Sequence, residues 1–222
     1  MARLPTTPSL PLAPLRPGDI FRTPRGCRLT RVYFAARHAG TWDGFRTWGP
    51  AGSARFDHHI PPPGSGVDRG VIYVGGDPRT AIVEAFQRTR AINRTRDDPW
   101  LAVFSLRRPL RLLDLRGTWP TYAGASQALT VADSPDATQA WSRAIYDAYD
   151  IDGLLYPSAM RGKPKEARPP GIDEDLFCQN IALFERATRA MPANPRVHIP
   201  LGHRGLDRDL ALIAVDYRFD LL

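Results

Sequence analysis

The chain has 222 residues, 43% of them hydrophobic, which is enough for one globular domain of ordinary size. It contains no apolar run of the roughly 20 residues that a membrane-spanning helix needs and no basic-then-apolar leader, so we expect no membrane association and no secretion by that route. The two cysteines, Cys27 and Cys178, have no metal-type spacing, and this also favours a reduced, cytoplasmic protein.

The net charge is +7 and the sequence pI about 9.9, values that would also suit a nucleic-acid-binding protein. Only Lys163 and Lys165 are lysines, and the other 28 basic residues are arginines spread along the whole chain. This distribution indicates a compositional bias rather than a basic patch, so direct nucleic-acid binding is not expected. The positive field would still attract an anionic small molecule or an acidic partner.

Residues 1–20 form a proline-rich N-terminal arm without usable periodicity, which predicts an extended arm or a disordered tail. The arm is either a simple leader or a segment that packs on a neighbouring subunit of a homo-oligomer. The first convincing strand is LTRVYF, residues 29–34. Arg31 within it either faces solvent or reaches into a cleft to meet an anion.

Residues 40–63 are loop-rich and contain the basic–aromatic pair Arg55-Phe56. His58 and His59 follow, and we expect the side chains of such adjacent residues to diverge. No Cys or His lies at the three- or four-residue spacing that would complete a zinc site. The sequence therefore predicts no metal site.

A strand–turn–helix unit occupies residues 69–86, RGVIYVGGDPRTAIVEAF. Residues 71–74 are a short β-branched and aromatic run typical of a buried strand, and two glycines end it. Asp77 is a suitable helix cap and Pro78 suits the first turn. The apolar residues that follow form one helical stripe. The sequence therefore predicts a buried strand that leads directly into an amphipathic helix.

Glu84 lies beside that stripe, two turns into the predicted helix, which is too deep for a capping carboxylate. The simplest role is a surface ion pair with Arg88, four residues on, worth about 0.2–0.5 kcal/mol. The alternative is a carboxylate that faces a cleft.

The rest of the chain predicts strands at 100–106, 110–115, 153–156 and 180–185, and a helix at 137–149. Ser158 comes just after the strand at 153–156, where it either contacts a ligand or ends the strand by bonding backbone. Residues 161–179 are a charged, proline-containing insertion, interpreted as a solvated loop or lid. Residues 210–215 predict a last strand that covers a sheet edge.

Together these pieces resemble the RES domain family, named for its Arg, Glu and Ser. The order and rough spacing of five motifs agree with the family between residues 28 and 186. They are the strand with Arg31, the pair Arg55-Phe56, Ile72-Tyr73 followed eleven residues later by Glu84, the run DGLLYPS at 152–158, and Ala182-Leu183-Phe184.

The resemblance implies a compact α+β, mixed-sheet fold similar to the ADP-ribosyltransferase toxins, with a cleft for NAD as substrate. It places this catalytic domain at residues 21–190, with the insertion at 161–179 and a C-terminal extension at 191–222 packed on the domain. Family members are toxins of toxin–antitoxin pairs, held silent by a helix-turn-helix (Xre-like) antitoxin. Some hydrolyse or phosphorolyse NAD, and others transfer ADP-ribose to a protein.

The residue types of these motifs suit cleavage of the nicotinamide–ribose bond. Glu84 would stabilise the positive charge that develops on the ribose. Arg31 and Arg55 would grip the diphosphate, since guanidinium groups bind two phosphate oxygens at once. Tyr73 would stack on nicotinamide or bond the ribose, and Ser158 would position the ribose or the attacking water.

Two other interpretations remain open at this point. One is a mono-ADP-ribosyltransferase that modifies a protein, because the acceptor depends on access to the cleft. The other is a non-catalytic binding module that keeps the fold and uses its basic surface for a partner.

Overall fold

A computed structural model of the chain describes residues 7–37, 40–52, 54–65, 68–131, 135–158, 160 and 167–222. These residues form a large mixed sheet with helices, so the predicted α+β class is confirmed. The strands are β1 (Ile20–Arg22), β2 (Arg28–Phe34), β3 (Val71–Gly75), β4 (Ala91–Ile92), β5 (Pro99–Ser105), β6 (Arg111–Asp114), β7 (Gly153–Pro157), β8 (Gln179–Phe184), β9 (Val197–Pro200) and β10 (Asp220–Leu221). The α-helices are α1 (Pro78–Phe86), α2 (Trp119–Tyr122), α3 (Ala128–Val131), α4 (Pro135–Ala148) and α5 (Asp207–Tyr217).

Eight strands form the main sheet in the order β1-β6-β7-β8-β3-β2-β5-β9. All neighbours in it are antiparallel except β6 and β7, which are parallel. The strands β4 and β10 form a separate parallel pair. The central strands β8, β3 and β2 carry most of the motifs found in the sequence, so the sheet brings those motifs together.

The two faces of the sheet are covered differently. One face carries Leu29, Tyr33 and Ile72 and is covered by loops and by a short 3-10 helix at Glu185–Ala190. On the other face, α2, α3 and α4 pack over β6, β7 and β8 around the buried Trp119. Helices α1 and α5 pack over β2 and β5 on that same face. A cleft is left between these two helical clusters.

The strand–turn–helix unit forms as its sequence predicts. The Asp77 side chain accepts a hydrogen bond of 2.8 Å from the backbone N–H of Thr80, and Pro78 occupies the first turn. Gly75 lies so close to the new helix that a Cβ there would be 2.8 Å from the backbone nitrogen of Ala81. The glycine therefore lets α1 begin directly against the end of β3.

The proline-rich arm packs on the domain from residue 7 onward, the preceding residues lying outside the described part of the chain. Leu12 is buried against α4, and the Tyr149 hydroxyl donates to the carbonyl of Ala13. Of the insertion, residues 161–166 also lie outside the described part. Its later portion packs tightly, since Leu176 is fully buried.

The prediction of a last strand at 210–215 is wrong, because these residues lie in α5. Leu210, Ile213 and Ala214 are buried at helical spacing, and they pack with α1. A short apolar run of this length suits a strand or a buried helix equally well, and here the three- and four-residue spacing decided the outcome. Among the described residues, no helix combines the length and apolarity needed to cross a bilayer.

Candidate active site

A cavity of about 440 Å³ lies in the cleft between the two helical clusters. Its volume falls in the range of small-molecule sites. The sheet supplies its floor, α1 one wall, and the loop between β2 and β3 another wall. The polar and charged side chains that line it include Arg46, Arg55, Tyr73, Glu84, Tyr156 and Asn180.

Strand register builds the cavity floor. Tyr156 of β7 lies opposite Asn180 of β8, and Asn180 lies opposite Gly75 of β3. These three residues form one row across three neighbouring strands on the same sheet face. Because side chains alternate along a strand, Tyr73 projects from that same face one row further on. Two tyrosines and an asparagine therefore form the floor.

Glu84 reaches this cavity from α1. Its Oε1 accepts a hydrogen bond from the Ser158 hydroxyl, and its Oε2 accepts one of 3.1 Å from the Gln87 side-chain amide. The predicted surface pairing with Arg88 is replaced by these two contacts. Ser158 is itself buried at the end of β7. The structure thus joins the two residues predicted to be catalytic, although they are 74 positions apart in sequence.

Asp77 fixes both partners of this pair. Besides capping α1, its Oδ2 accepts hydrogen bonds from the Thr80 hydroxyl at 2.6 Å and from the backbone N–H of Cys178 at 2.9 Å. The carbonyl of Cys178 in turn accepts from the backbone N–H of Ser158 at 3.2 Å. One buried carboxylate therefore holds the helix of Glu84 and the segment of Ser158 in register.

Three arginines line the cavity: Arg37, Arg46 and Arg55. Arg37 pairs with Asp97 at the rim, and Arg46 donates to Asp57 at 2.6 Å. Arg55 donates to a backbone carbonyl on α3, and within the described chain no carboxylate lies within 4 Å of it. The charge of Arg55 is therefore the least neutralised of the three. Of the three, the sequence predicts only Arg55 as a site residue, because Arg37 and Arg46 lie in irregular segments without a local pattern.

Arg31 does not line the cavity, and its prediction as a cleft residue needs correction. Thr30 of β2 lies opposite Gly75, so Val32 and Phe34 face the cavity and Arg31 faces the other side of the sheet. There its Nη1 donates to the carbonyls of residues 41, 42 and 44 at 2.9–3.1 Å. Burial lowers the pKa of Arg31 to about 10, so the side chain remains charged and fastens the loop.

Tyr73 lines the cavity with its ring, while its hydroxyl is engaged elsewhere. The hydroxyl donates to Asp57 at 2.9 Å and accepts from the backbone N–H of Phe56 at 3.1 Å. Burial, reinforced by the charge of Asp57, raises the pKa of Tyr73 well above its usual value. Tyr73 therefore offers a neutral ring face, and its single proton is not available to a ribose.

Tyr156 shares the cavity with Glu84 and Arg55 and lies close enough to feel the charge of both. Burial raises its pKa, the charge of Glu84 raises it further, and the charge of Arg55 lowers it. The ring packs against Phe56, with centroids 4.6 Å apart. Tyr156 belongs to the DGLLYPS motif, but the motif by itself predicts no role for it.

His58 and His59 are both buried, and contrary to expectation their rings stack with centroids 5.5 Å apart. His58 lies 3.4 Å from Glu185, and burial lowers the pKa of both histidines. Within the part of the chain that the structure describes, no group of three His, Cys, Asp or Glu residues is placed to hold a metal ion.

Comparison with known families identifies the fold. The family model of the RES domain matches residues 28–209. The chain belongs to the RES domain family. The match contains every cavity residue named above and confirms the resemblance found in the sequence.

Among solved structures, one similar to this RES domain is the crystal structure of the M. tuberculosis MbcT–MbcA toxin–antitoxin complex. The TM-score is 0.53 at 17% sequence identity, and the alignment covers 82% of this chain and 87% of that one. At this identity the likeness establishes the shared fold. A search of curated proteins finds no match.

Proposed function

We propose that this RES protein consumes NAD by cleaving its nicotinamide–ribose bond and acts as the toxin of a toxin–antitoxin pair. One observation carries the proposal: Glu84 is held by Ser158 at the edge of a nucleotide-sized cavity that also contains Arg55. Membership in the RES family supports the choice of NAD as substrate, because the residue types of the family motif suit its cleavage.

The chemistry requires little more than a fixed negative charge. Cleavage builds positive charge on the ribose, and nicotinamide leaves as a neutral group, so no general acid is required. A carboxylate beside the ribose can accept a hydrogen bond from a hydroxyl and stabilise the cation. Hydrogen bonds from Ser158 and Gln87 restrict the motion of Glu84, and such preorganisation is what makes electrostatic stabilisation effective.

Arg55 is the candidate for the diphosphate, since a guanidinium group binds two phosphate oxygens and this one has no acidic partner among the described residues. Arg46 borders the same cavity but shares its charge with Asp57. The Tyr73 ring offers a surface for stacking of the nicotinamide. Arg31, by contrast, would act indirectly by holding the loop that covers the opposite sheet face.

The role as a toxin is supported by the family and by the fold shared with a protein crystallised together with an antitoxin. We infer that this chain also has an antitoxin partner, and the family resemblance favours a helix-turn-helix (Xre-like) protein. Expression in a host cell, alone and together with a small helix-turn-helix protein encoded beside it, tests this role. Growth arrest relieved by the neighbour supports the proposal, and unimpaired growth without the neighbour contradicts it.

The reaction is tested by incubating the pure protein with NAD, with and without inorganic phosphate, and separating the products by chromatography. Free nicotinamide with ADP-ribose indicates hydrolysis, and a phosphorylated ADP-ribose formed only with phosphate indicates phosphorolysis. A labelled protein target would instead indicate a mono-ADP-ribosyltransferase.

The alternative of a non-catalytic binding module predicts no nicotinamide under any of these conditions. The Glu84→Gln variant is the matched control, because glutamine keeps the size and one acceptor oxygen while removing the charge. If NAD loss continues at the wild-type rate in this variant, the proposed mechanism is wrong.

A further inference from the structure

The two tyrosines of the cavity floor differ in how their hydroxyl groups are used. The Tyr73 hydroxyl has both a donor and an acceptor role within the protein. Tyr156 is 7% exposed and lines the cavity, and within the described part of the chain no hydrogen bond reaches its hydroxyl. The Tyr156 hydroxyl is not among the fully enclosed unpartnered atoms, so it is open to the cavity, where water or a ligand can bond it.

Asn180 shares this condition. It lies directly opposite Tyr156 in the register of β7 and β8, it is 6% exposed, and it also lines the cavity. Within the described part of the chain no hydrogen bond reaches its side-chain amide, which is also open to the cavity. Two neighbouring polar side chains therefore face the cavity from the same side of the sheet, and their hydrogen-bonding atoms are not used by the described part of the protein.

We propose that Tyr156 and Asn180 form a hydrogen-bonding subsite for a neutral group of the bound nucleotide. The inference rests on the proposed function and adds a binding role that the sequence motifs do not supply. A phenol and a carboxamide together provide donors and acceptors but no charge. They therefore suit a group that both donates and accepts.

In NAD, the neutral groups near the bond to be cleaved are the nicotinamide carboxamide and the hydroxyls of the adjacent ribose. Both have this donor-and-acceptor chemistry. The phosphates are better matched by Arg55, which forms no ion pair with any described residue. The raised pKa of Tyr156 agrees with this assignment, because the hydroxyl then keeps its proton at neutral pH.

The experiment compares Tyr156→Phe and Asn180→Ala with the wild-type protein. Calorimetry measures the binding of a carbocyclic NAD analogue, whose nicotinamide bond resists cleavage. Each variant should bind about 3- to 10-fold more weakly, the effect of one lost neutral hydrogen bond. The unfolding midpoint should not change, because neither variant breaks a hydrogen bond within the described protein.

Tyr33→Phe is the matched control. It removes a hydroxyl that bonds His198 at 2.6 Å on the opposite face of the sheet, so affinity for the analogue should stay at the wild-type value. Binding of ADP-ribose then separates the two neutral groups. Weakening for the NAD analogue but not for ADP-ribose identifies the carboxamide, and weakening for both identifies the ribose.

Wild-type affinity in both cavity variants would overturn the subsite, and so would a fall in unfolding midpoint that accounts for the lost binding. The proposed reaction can fail separately. If the wild-type protein binds the analogue but does not cleave NAD, the proposed reaction is wrong. The binding measurements on the two variants then still test the subsite. A wild-type protein that does not bind the analogue contradicts both.

Discussion

Asp57 is predicted to be the residue whose removal most damages the cavity wall. It is fully buried, and its carboxylate accepts hydrogen bonds from the Arg46 guanidinium at 2.6 Å, the Ala51 backbone N–H at 2.7 Å and the Tyr73 hydroxyl at 2.9 Å. These contacts tie the loop between β2 and β3 to the sheet. The same loop carries Arg55, so the stability of the wall and the position of the anion-binding group depend on one side chain.

The cost of Asp57→Ala can be worked from these partners. Removing one member of a buried ion pair typically costs about 3–5 kcal/mol. The Tyr73 hydroxyl and the Ala51 N–H would also lose their acceptor, at about 1–3 kcal/mol each if no water replaces it. The terms are not additive, and Arg46 is partly exposed and can reach water, so we expect a total of about 3–5 kcal/mol. Asp57→Asn keeps one acceptor oxygen and should cost less.

Urea denaturation followed by circular dichroism provides the measurement. A loss of this size is a large part of the 5–15 kcal/mol that stabilises a typical domain, so the midpoint should fall clearly while the slope stays constant. Asp97→Asn is the control, because Asp97 pairs with Arg37 at an exposed site where an ion pair contributes about 0–1 kcal/mol. If Asp57→Ala costs less than 1 kcal/mol, the carboxylate does not hold the wall and the reasoning is refuted.

Four further substitutions test other parts of the protein. Glu84→Gln should lower the rate of nicotinamide release by about 10²–10³ at an unchanged unfolding midpoint, and a loss below tenfold would contradict its catalytic role. Arg31→Ala should lower the free energy of unfolding by about 1.5–3 kcal/mol. Arg55→Ala should raise KM for NAD and lower the unfolding midpoint less than Arg31→Ala does, because it loses one hydrogen bond to a backbone carbonyl where Arg31 loses three. A raised KM in Arg31→Ala with a wild-type KM in Arg55→Ala would exchange their roles. Burial raises the pKa of Glu185, but its hydrogen bonds, chiefly the one with His58, lower the pKa by more. The net result is a pKa of about 2 instead of 4.5. Its stabilisation is thus complete above pH 4.5 and lost as the pH falls toward 2, so Glu185→Gln should flatten the pH dependence of the unfolding midpoint in that interval, and an unchanged profile would exclude the effect.

The local strand–turn–helix unit could be predicted because its signals lie within a few residues of one another. The β-branched run of β3, the two glycines, the Asp77 cap and the apolar stripe of α1 each have a short-range cause. The pairing of Glu84 with Ser158 could not be derived from those signals. It depends on the antiparallel placement of β8 between β7 and β3, which only the whole sheet determines.

Arg31 shows that predicting a strand correctly does not predict which of its side chains face the site. The strand predicted at 29–34 forms as β2 (Arg28–Phe34), but the sequence does not tell which of its faces meets the cleft. A shift of one residue in register exchanges the two faces of a strand. The observed pairing of Thr30 with Gly75 sends Val32 to the cavity and Arg31 away from it. The arginines that do line the cavity lie in the loop between β2 and β3 and just after β2.

The position of Glu84 depends finally on two residues without side chains. A Cβ at Gly75 would lie 2.8 Å from the backbone nitrogen of Ala81, and a Cβ at Gly76 would overlap the carbonyl oxygen of Leu176. Because the backbones approach this closely, α1 begins against the end of β3, and a residue two turns later reaches the floor formed by the sheet. A larger residue at either position would push α1 or the segment at 174–176 outward. The carboxylate would then move away from Ser158, so the glycine pair that ends the strand is also a condition for the site.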